Sequence, residues 1–111
     1  MTQETIDNLI QELRRGVIVL AVLSLLAEEH YGYEVLKLLS DQGLEVDQGT
    51  LYPLLRRLEN QGLLESHWRL EAARQRKYYI ISHAGREVFP RLRDEWQKMT
   101  DILNQLLSQF K

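Results

Sequence analysis

Residues 47–65 read DQGTLYPLLRRLENQGLLE. Turned through about 100° per residue, Leu51, Leu54, Leu55 and Leu58 share an arc of about 100°, the width of a stripe that packs on a core. Diametrically opposite lie Gly49, Pro53, Arg56 and Asn60, with Tyr52 and Arg57 at the borders. One face of this helix is committed to folding, and the other is left with a glycine, a proline and arginines. Asp47 or Thr50 can serve as its N-cap. With Thr50 as cap, Pro53 sits harmlessly in the first turn; with Asp47, it removes an intrahelical hydrogen bond.

Downstream of Gly62, the stretch LLESHWRLEAARQRKYYIIS alternates apolar and polar residues. Two strands are expected there, at roughly 63–70 and 76–82, joined by a short charged loop. Upstream, Ile6, Leu9, Ile10, Leu13, Val17 and Leu20 recur at helical spacing, so a helix is expected from about Thr5 into the 20s, interrupted near Gly16. A second helix follows Tyr31-Gly32-Tyr33, turns Val35, Leu36, Leu38 and Leu39 inward, and ends at Gly43 as its C-cap. Three helices followed by a hairpin is the order of a winged helix-turn-helix, a mainly α fold with a small β-hairpin (α+β). In that architecture the third helix enters the DNA major groove and the hairpin lies along the flanking backbone. Gly49 would allow close approach, the helix N-terminus offers N–H groups to phosphate, and Arg56 and Arg57 supply charge-assisted contacts. Two arginines on a polar face are also what any solvated helix carries, so the charge on the hairpin matters: Arg74-Gln75-Arg76-Lys77 gathers cations at its tip. Tyr52, at the border of the exposed face, either packs on the supporting helix or offers its hydroxyl to a phosphate.

The chain has 111 residues, of which 44% are hydrophobic and 27% charged, with a net charge of −2. That length suits one domain with a modest core, and short chains often bury more surface by dimerising. The net charge does not look like that of a nucleic-acid binder, but the charge is unevenly distributed. Residues 1–46 carry three basic and eight acidic side chains, whereas 65–82 carry four basic and two acidic ones. No cysteine is present, which leaves no disulfide and no thiolate metal site and makes a reducing cytoplasm the expected compartment. The longest apolar run, GVIVLAVLSLLAEEH at 16–30, is too short to span a bilayer and reads as a core helix.

The stretches GTLYPLLRRLENQGLLE, HYGYEVLKLLS and RKYYIISHAGRE resemble the PadR family of bacterial transcriptional regulators, and the similarity runs from about Gly16 onward. G-T-L-Y-P followed by L-x-x-L-E-x-x-G-L is the most specific part. The resemblance implies a winged-helix domain with one C-terminal dimerisation helix, a recognition helix at about Gln48–Gln61, and repression of genes relieved by an aromatic or cationic small molecule. It puts Tyr31, Gly32 and Tyr33 at the start of the supporting helix and Arg76 and Lys77 on the wing. The full DNA-contacting set expected is Tyr31, Tyr33, Gln48, Gly49, Thr50, Tyr52, Pro53, Arg56, Arg57, Arg74, Arg76 and Lys77. One departure is visible: Glu71-Ala72-Ala73-Arg74-Gln75 lacks the glycine often found in the wing loop.

The last segment has its own periodicity. Phe89, Leu92, Trp96, Met99, Leu103, Leu106 and Phe110 alternate spacings of three and four, a heptad stripe that needs a partner. Ser82 is the expected N-cap, and Pro90 should bend or weaken the early turns. Residues 1–82 are thus read as a DNA-binding part and 83–111 as a dimerisation helix, together one compact unit. A twofold dimer presents two recognition helices about 34–36 Å apart, so its double-stranded DNA operator should be an inverted repeat. Trp96 stands where a coiled coil prefers leucine or isoleucine. Trp96 and Met99 are therefore candidate effector-binding residues: the indole suits a planar aromatic or cationic guest, with Glu95 or Asp101 favouring positive charge.

Enzyme chemistry finds little support. His30, His67 and His83 lie in different elements, and no phosphate loop, metal-binding pair or serine elbow appears, so no cofactor or metal is expected. Glu28-Glu29 and Asp94-Glu95 are sequence neighbours, which diverge by about 100° on a helix and form no acid/base pair. The competing reading is a winged-helix protein-interaction module without an effector, using the acidic first 46 residues.

Overall fold

Seven elements follow one another in a computed structural model that describes residues 1–111: α1 (Gln3–Leu25), β1 (His30–Tyr31), α2 (Gly32–Asp41), α3 (Gln48–Asn60), β2 (Leu64–Glu71), β3 (Arg74–Ile81) and α4 (His83–Ser108). Helices plus a small antiparallel sheet, in this order, make the winged helix-turn-helix expected. No helix is long and apolar enough to cross a membrane.

The two central helices stop in the same way. Gly43 and Gly62 adopt φ of +90° and +83°, the left-handed region that favours glycine. After α2 the Leu44 amide donates to the Leu39 carbonyl and Gly43 to Ser40; after α3 the Leu63 amide donates to Leu58 and Gly62 to Glu59. These paired closures satisfy carbonyls that a helix end otherwise leaves open, and they turn the chain sharply into the next element. At the other end of α3, Asp47 is the cap, its Oδ1 accepting from the Thr50 amide at 2.7 Å. Pro53 therefore lies beyond the first turn and removes the bond to the Gly49 carbonyl; Gly49 is exposed, so water can serve that carbonyl instead.

Three expectations need correction. α1 runs unbroken through Gly16 and begins earlier than expected, at Gln3 behind a Thr2 cap. A single exposed glycine costs a helix only about 1 kcal/mol, and the buried Ile18, Val22 and Leu23 just beyond it outweigh that cost. Second, the sheet has three strands in the order β1-β3-β2, because the two-residue β1 pairs antiparallel with β3, His30 opposite Tyr79 and Tyr31 opposite Tyr78. Third, the wing has no charged loop. β2 and β3 pair from Leu64 opposite Ile81 out to Glu71 opposite Arg74, and only Ala72 and Ala73 turn the chain.

Ala72 and Ala73 have φ of +48° and +63°. Two consecutive left-handed residues are what a two-residue hairpin turn requires, and Asn-Gly fits it far better than Ala-Ala. The alanines hold a conformation that costs an ordinary residue about 1–2 kcal/mol. Ala72→Asn with Ala73→Gly is therefore expected to raise stability by about 1–2 kcal/mol in a thermal melt. An unchanged or lowered midpoint would contradict this turn.

The core is one cluster. α1 contributes Ile18, Val22 and Leu23, and Leu26 just beyond it joins them; α2 adds Val35 and Leu39, α3 its four leucines, and the hairpin Leu64, Tyr79 and Ile81. Ser82 closes it at the start of α4, its Oγ donating to the Gly62 carbonyl at 2.6 Å and accepting from the Gly85 amide at 3.0 Å. Pro90 sits inside α4 without ending it.

Only 16 of the 111 residues are buried, and the radius of gyration is 16.3 Å. A compact chain of this length would have about 13 Å. The excess comes with two projecting apolar surfaces: the early turns of α1, where Leu9 and Leu13 are exposed, and the second half of α4, where Met99, Leu103, Leu106 and Phe110 are exposed.

Candidate nucleic-acid interface

α3 positions its side chains as its wheel requires. Leu51, Leu54, Leu55 and Leu58 are buried, while Gln48, Gly49, Thr50, Pro53, Arg56 and Arg57 are exposed. Tyr52 is half-buried, its ring lying against the first residue of α2: a Cβ on Gly32 would come within 2.7 Å of the Tyr52 Cε1. The packing alternative for Tyr52 is thus the one the geometry shows, and Gly32 is what lets α2 and α3 approach so closely.

Between α3 and the wing lies a cleft of about 530 Å³, lined by Tyr31, Tyr33, Tyr52, Arg56, Arg74, Arg76 and Lys77, with Trp68. Seven of the residues singled out from three separate stretches of sequence therefore meet at one place. Their charges are not equivalent. Arg56, Arg57 and Arg74 enter no ion pair within the chain. Arg76 is partly spent, lying 4.5 Å above the Tyr31 ring and 3.5 Å from the Glu71 carboxylate. Lys77 is held by Glu59 of α3 at 3.0 Å, and Ser66 donates to the same carboxylate. The hydrogen bond from Ser66 above all, and then Lys77, keep the Glu59 carboxyl below its ordinary range against the opposing effect of burial. This knot ties α3 to both wing strands and fixes the width of the cleft.

Trp68 escaped the sequence reading as a site residue. The register puts it opposite Lys77 on the inner face of the wing, where it is largely exposed. The alternation that marks the strand also marks its inner face, but without β1 nothing showed which side would stay open. On the outer face, Glu29 holds His67 at 3.0 Å and also pairs with Arg69, anchoring the wing to the turn before β1.

The stripe of α4 is not brought into this cleft. Phe89 and Leu92 are half-buried against the core, whereas Trp96, Met99, Leu103, Leu106 and Phe110 face outward. Beside them α1 and α4 enclose a second, mostly apolar cleft of about 460 Å³, lined by Leu13, Val17 and Leu20 on one side and by Trp96, Met99 and Leu103 on the other, with Glu95 at its rim.

Residues 19–91 match the transcriptional regulator PadR-like family. A transcriptional regulator of Mycobacterium tuberculosis is 40% identical over 77 residues, 68% of this chain and 72% of that protein. Among solved structures, a PadR family transcriptional regulator from Eggerthella lenta superposes with a TM-score of 0.89 at 40% identity, covering 96% of each chain. A PadR-like transcriptional regulator from Bacillus cereus does so at 0.73 and 31% identity, over 90% of this chain and 99% of that one. With a match spanning most of the chain, and the motif residues of three segments gathered at one basic cleft, the chain belongs to the PadR-like family of transcriptional regulators, which act by binding DNA and not as enzymes.

Proposed function

We propose that the protein is a homodimeric repressor, with 1–82 as the DNA-binding part and 83–111 as the dimerisation helix. The observation that carries the reading is the face of α3 opposite its buried leucines, where Arg56 and Arg57 stand exposed and unpaired beside a wing bearing an equally free Arg74. Arg56 is the candidate for base contact. Arg57, Arg74, Gln48, Thr50 and the α3 N-terminus suit backbone phosphates, and Gly49 and Pro53 keep the docking face low. Tyr31, at the end of β1 and the N-cap of α2, and Tyr33, in the first turn of α2, line the cleft. Arg76 and Lys77, already engaged by Tyr31, Glu71 and Glu59, contribute to the positive field more than as free contacts.

The projecting apolar surfaces support the dimer, and they widen it beyond the heptad stripe, since α1 offers Leu9 and Leu13 beside α4. The α1–α4 cleft is the candidate effector site. Trp96 supplies a flat face, Met99 an adaptable wall and Glu95 a negative rim, a combination suited to a planar cation.

Selection of binding duplexes from a random pool, followed by dye titration of the complex, tests these parts together. An inverted repeat with half-sites about 10 base pairs apart is expected to emerge. A planar cationic dye should quench Trp96 emission saturably in Trp68→Phe protein and release the selected duplex from the unaltered protein, because an effector shifts an equilibrium only by differential affinity for its two states. Enrichment of single half-sites would contradict the dimer, and quenching without release would contradict the effector role. No enrichment even at low salt is the result that favours an interaction module.

A further inference from the structure

We infer that Arg14 and Arg15 of α1, together with Arg57, form a second phosphate-binding edge on the side of α3 away from the wing. The exposed face of α3 has two borders. Tyr52 and Arg56 lie toward the wing, whereas Thr50, Leu54 and Arg57 lie toward α1. On that second side a cleft of about 430 Å³ is walled by Arg15 from α1 and by Thr50, Pro53 and Arg57 from α3. A smaller one of about 220 Å³ continues it toward the α3 N-terminus, between Arg14 and Arg15 on one wall and Asp47 and Thr50 on the other. Thr50 and Arg15 belong to both, so the two clefts form one continuous edge.

The charges along this edge call for an anion. Arg14, Arg15 and Arg57 are engaged by no carboxylate of the chain. Two acids, Asp47 and Glu45, line the smaller cleft, where Asp47 accepts from the Thr50 amide at 2.7 Å and Glu45 from the Ser40 hydroxyl at 2.7 Å, and neither lines the larger one. Arg14 and Arg15 are also two of only three cations in the acidic first 46 residues, and both stand beside α3. In the larger cleft Arg15 and Arg57 converge from two helices with no carboxylate in the lining, and two such guanidinium groups repel one another unless an anion joins them.

The inference rests on α3 docking in DNA and names what lies on its far side. A major groove about 12 Å wide has a sugar–phosphate strand along each wall. The wing serves the wall beside Arg56 and Arg74. The opposite wall falls to Arg57, Arg14 and Arg15, and guanidinium groups suit phosphate oxygens in geometry as well as charge. Contacts of this kind fix the register and orientation of α3 without reading sequence.

The test measures binding of Arg14→Gln/Arg15→Gln and Arg14→Lys/Arg15→Lys proteins to a selected duplex and to an unrelated duplex of equal length, over a series of salt concentrations, with Arg56→Ala alongside. Each lost phosphate contact removes about 0.9 from the slope of log affinity against log salt. The glutamine pair is expected to weaken both duplexes to the same extent and to flatten the slope by about 1.8 for each bound protomer, about 3.6 for the dimer, with an unchanged melting temperature. The lysine pair should retain most of the slope. An unchanged slope in the glutamine pair while Arg56→Ala weakens binding would overturn the inference and leave α3 as the reading helix. A loss confined to the selected duplex would overturn it as well, since the arginines would then be reading bases. Wild-type binding by all three variants would remove α3 from the interface, and this edge with it.

Discussion

Leu103→Asp combined with Leu106→Asp is expected to turn the protein into a monomer or an unfolded chain, read as a loss of the dimer boundary in sedimentation velocity. Both leucines lie half or more exposed on the outer face of α4, in register with Trp96, Met99 and Phe110. In the proposed dimer these positions are buried, and an unpaired carboxylate in an apolar seam costs several kcal/mol. Across a twofold axis the two substitutions place four such charges, a combined cost comparable to the whole of the about 5–15 kcal/mol by which proteins are usually stable. Lys37→Asp, at an exposed position of α2, tests whether the effect belongs to the seam. A folded dimer of normal mass in the double variant would refute the seam.

Gly85→Val should be the most damaging single substitution. A Cβ at Gly85 would stand 2.3 Å from the Leu63 carbonyl oxygen and 2.6 Å from the Ile81 Cγ1. The first neighbour is backbone, fixed by the closure after α3 and by the Ser82 amide that bonds the same carbonyl at 2.9 Å. Relief therefore requires α4 to move away from the wing junction. Overpacking of this sort costs about 1–3 kcal/mol and occasionally more, and in a domain this small each kcal/mol lowers the melting midpoint by about 4–8 °C. Ala84→Val, at the exposed neighbouring position, serves as control. A Gly85→Val protein that melts with the wild type would show that α4 does not start against Leu63 as described.

Much of this architecture is legible in the sequence because the signals are local. The four leucines of α3, the glycines at 43 and 62 and the Ser82 cap each rest on a periodicity or backbone preference that acts within a few residues. What escaped depends on contacts between distant segments. A two-residue strand has no period, and β1 exists because β3 offers His30 and Tyr31 a free edge. Ala72-Ala73 carries no turn signal; sixteen residues of paired strand impose the turn on it. Reading Gly16 as an interruption hid the unity of α1, and with it both the apolar surface shared with α4 and the arginines beside α3. Seven of the expected site residues line one cleft, but how many of their charges are free was not legible. Glu59 takes Lys77 and Glu71 takes Arg76 only once the hairpin has folded over α3.

The central claim is that the face of α3 opposite its leucines lies in the DNA groove, and Arg56→Ala tests it most directly. Arg56 is exposed, unpaired and clear of the core, so its loss should leave folding intact. Binding of the variant to the selected duplex, followed by anisotropy over a salt series, is expected to weaken by about 1–3 kcal/mol if the guanidinium reads a base, with discrimination relaxed at that base pair. If it holds a phosphate, the loss is smaller, extends to all duplexes and flattens the salt slope by about 0.9 for each half-site, about 1.8 for the dimer. Wild-type affinity together with a wild-type slope would take Arg56 out of the interface and contradict the placement of α3 on DNA.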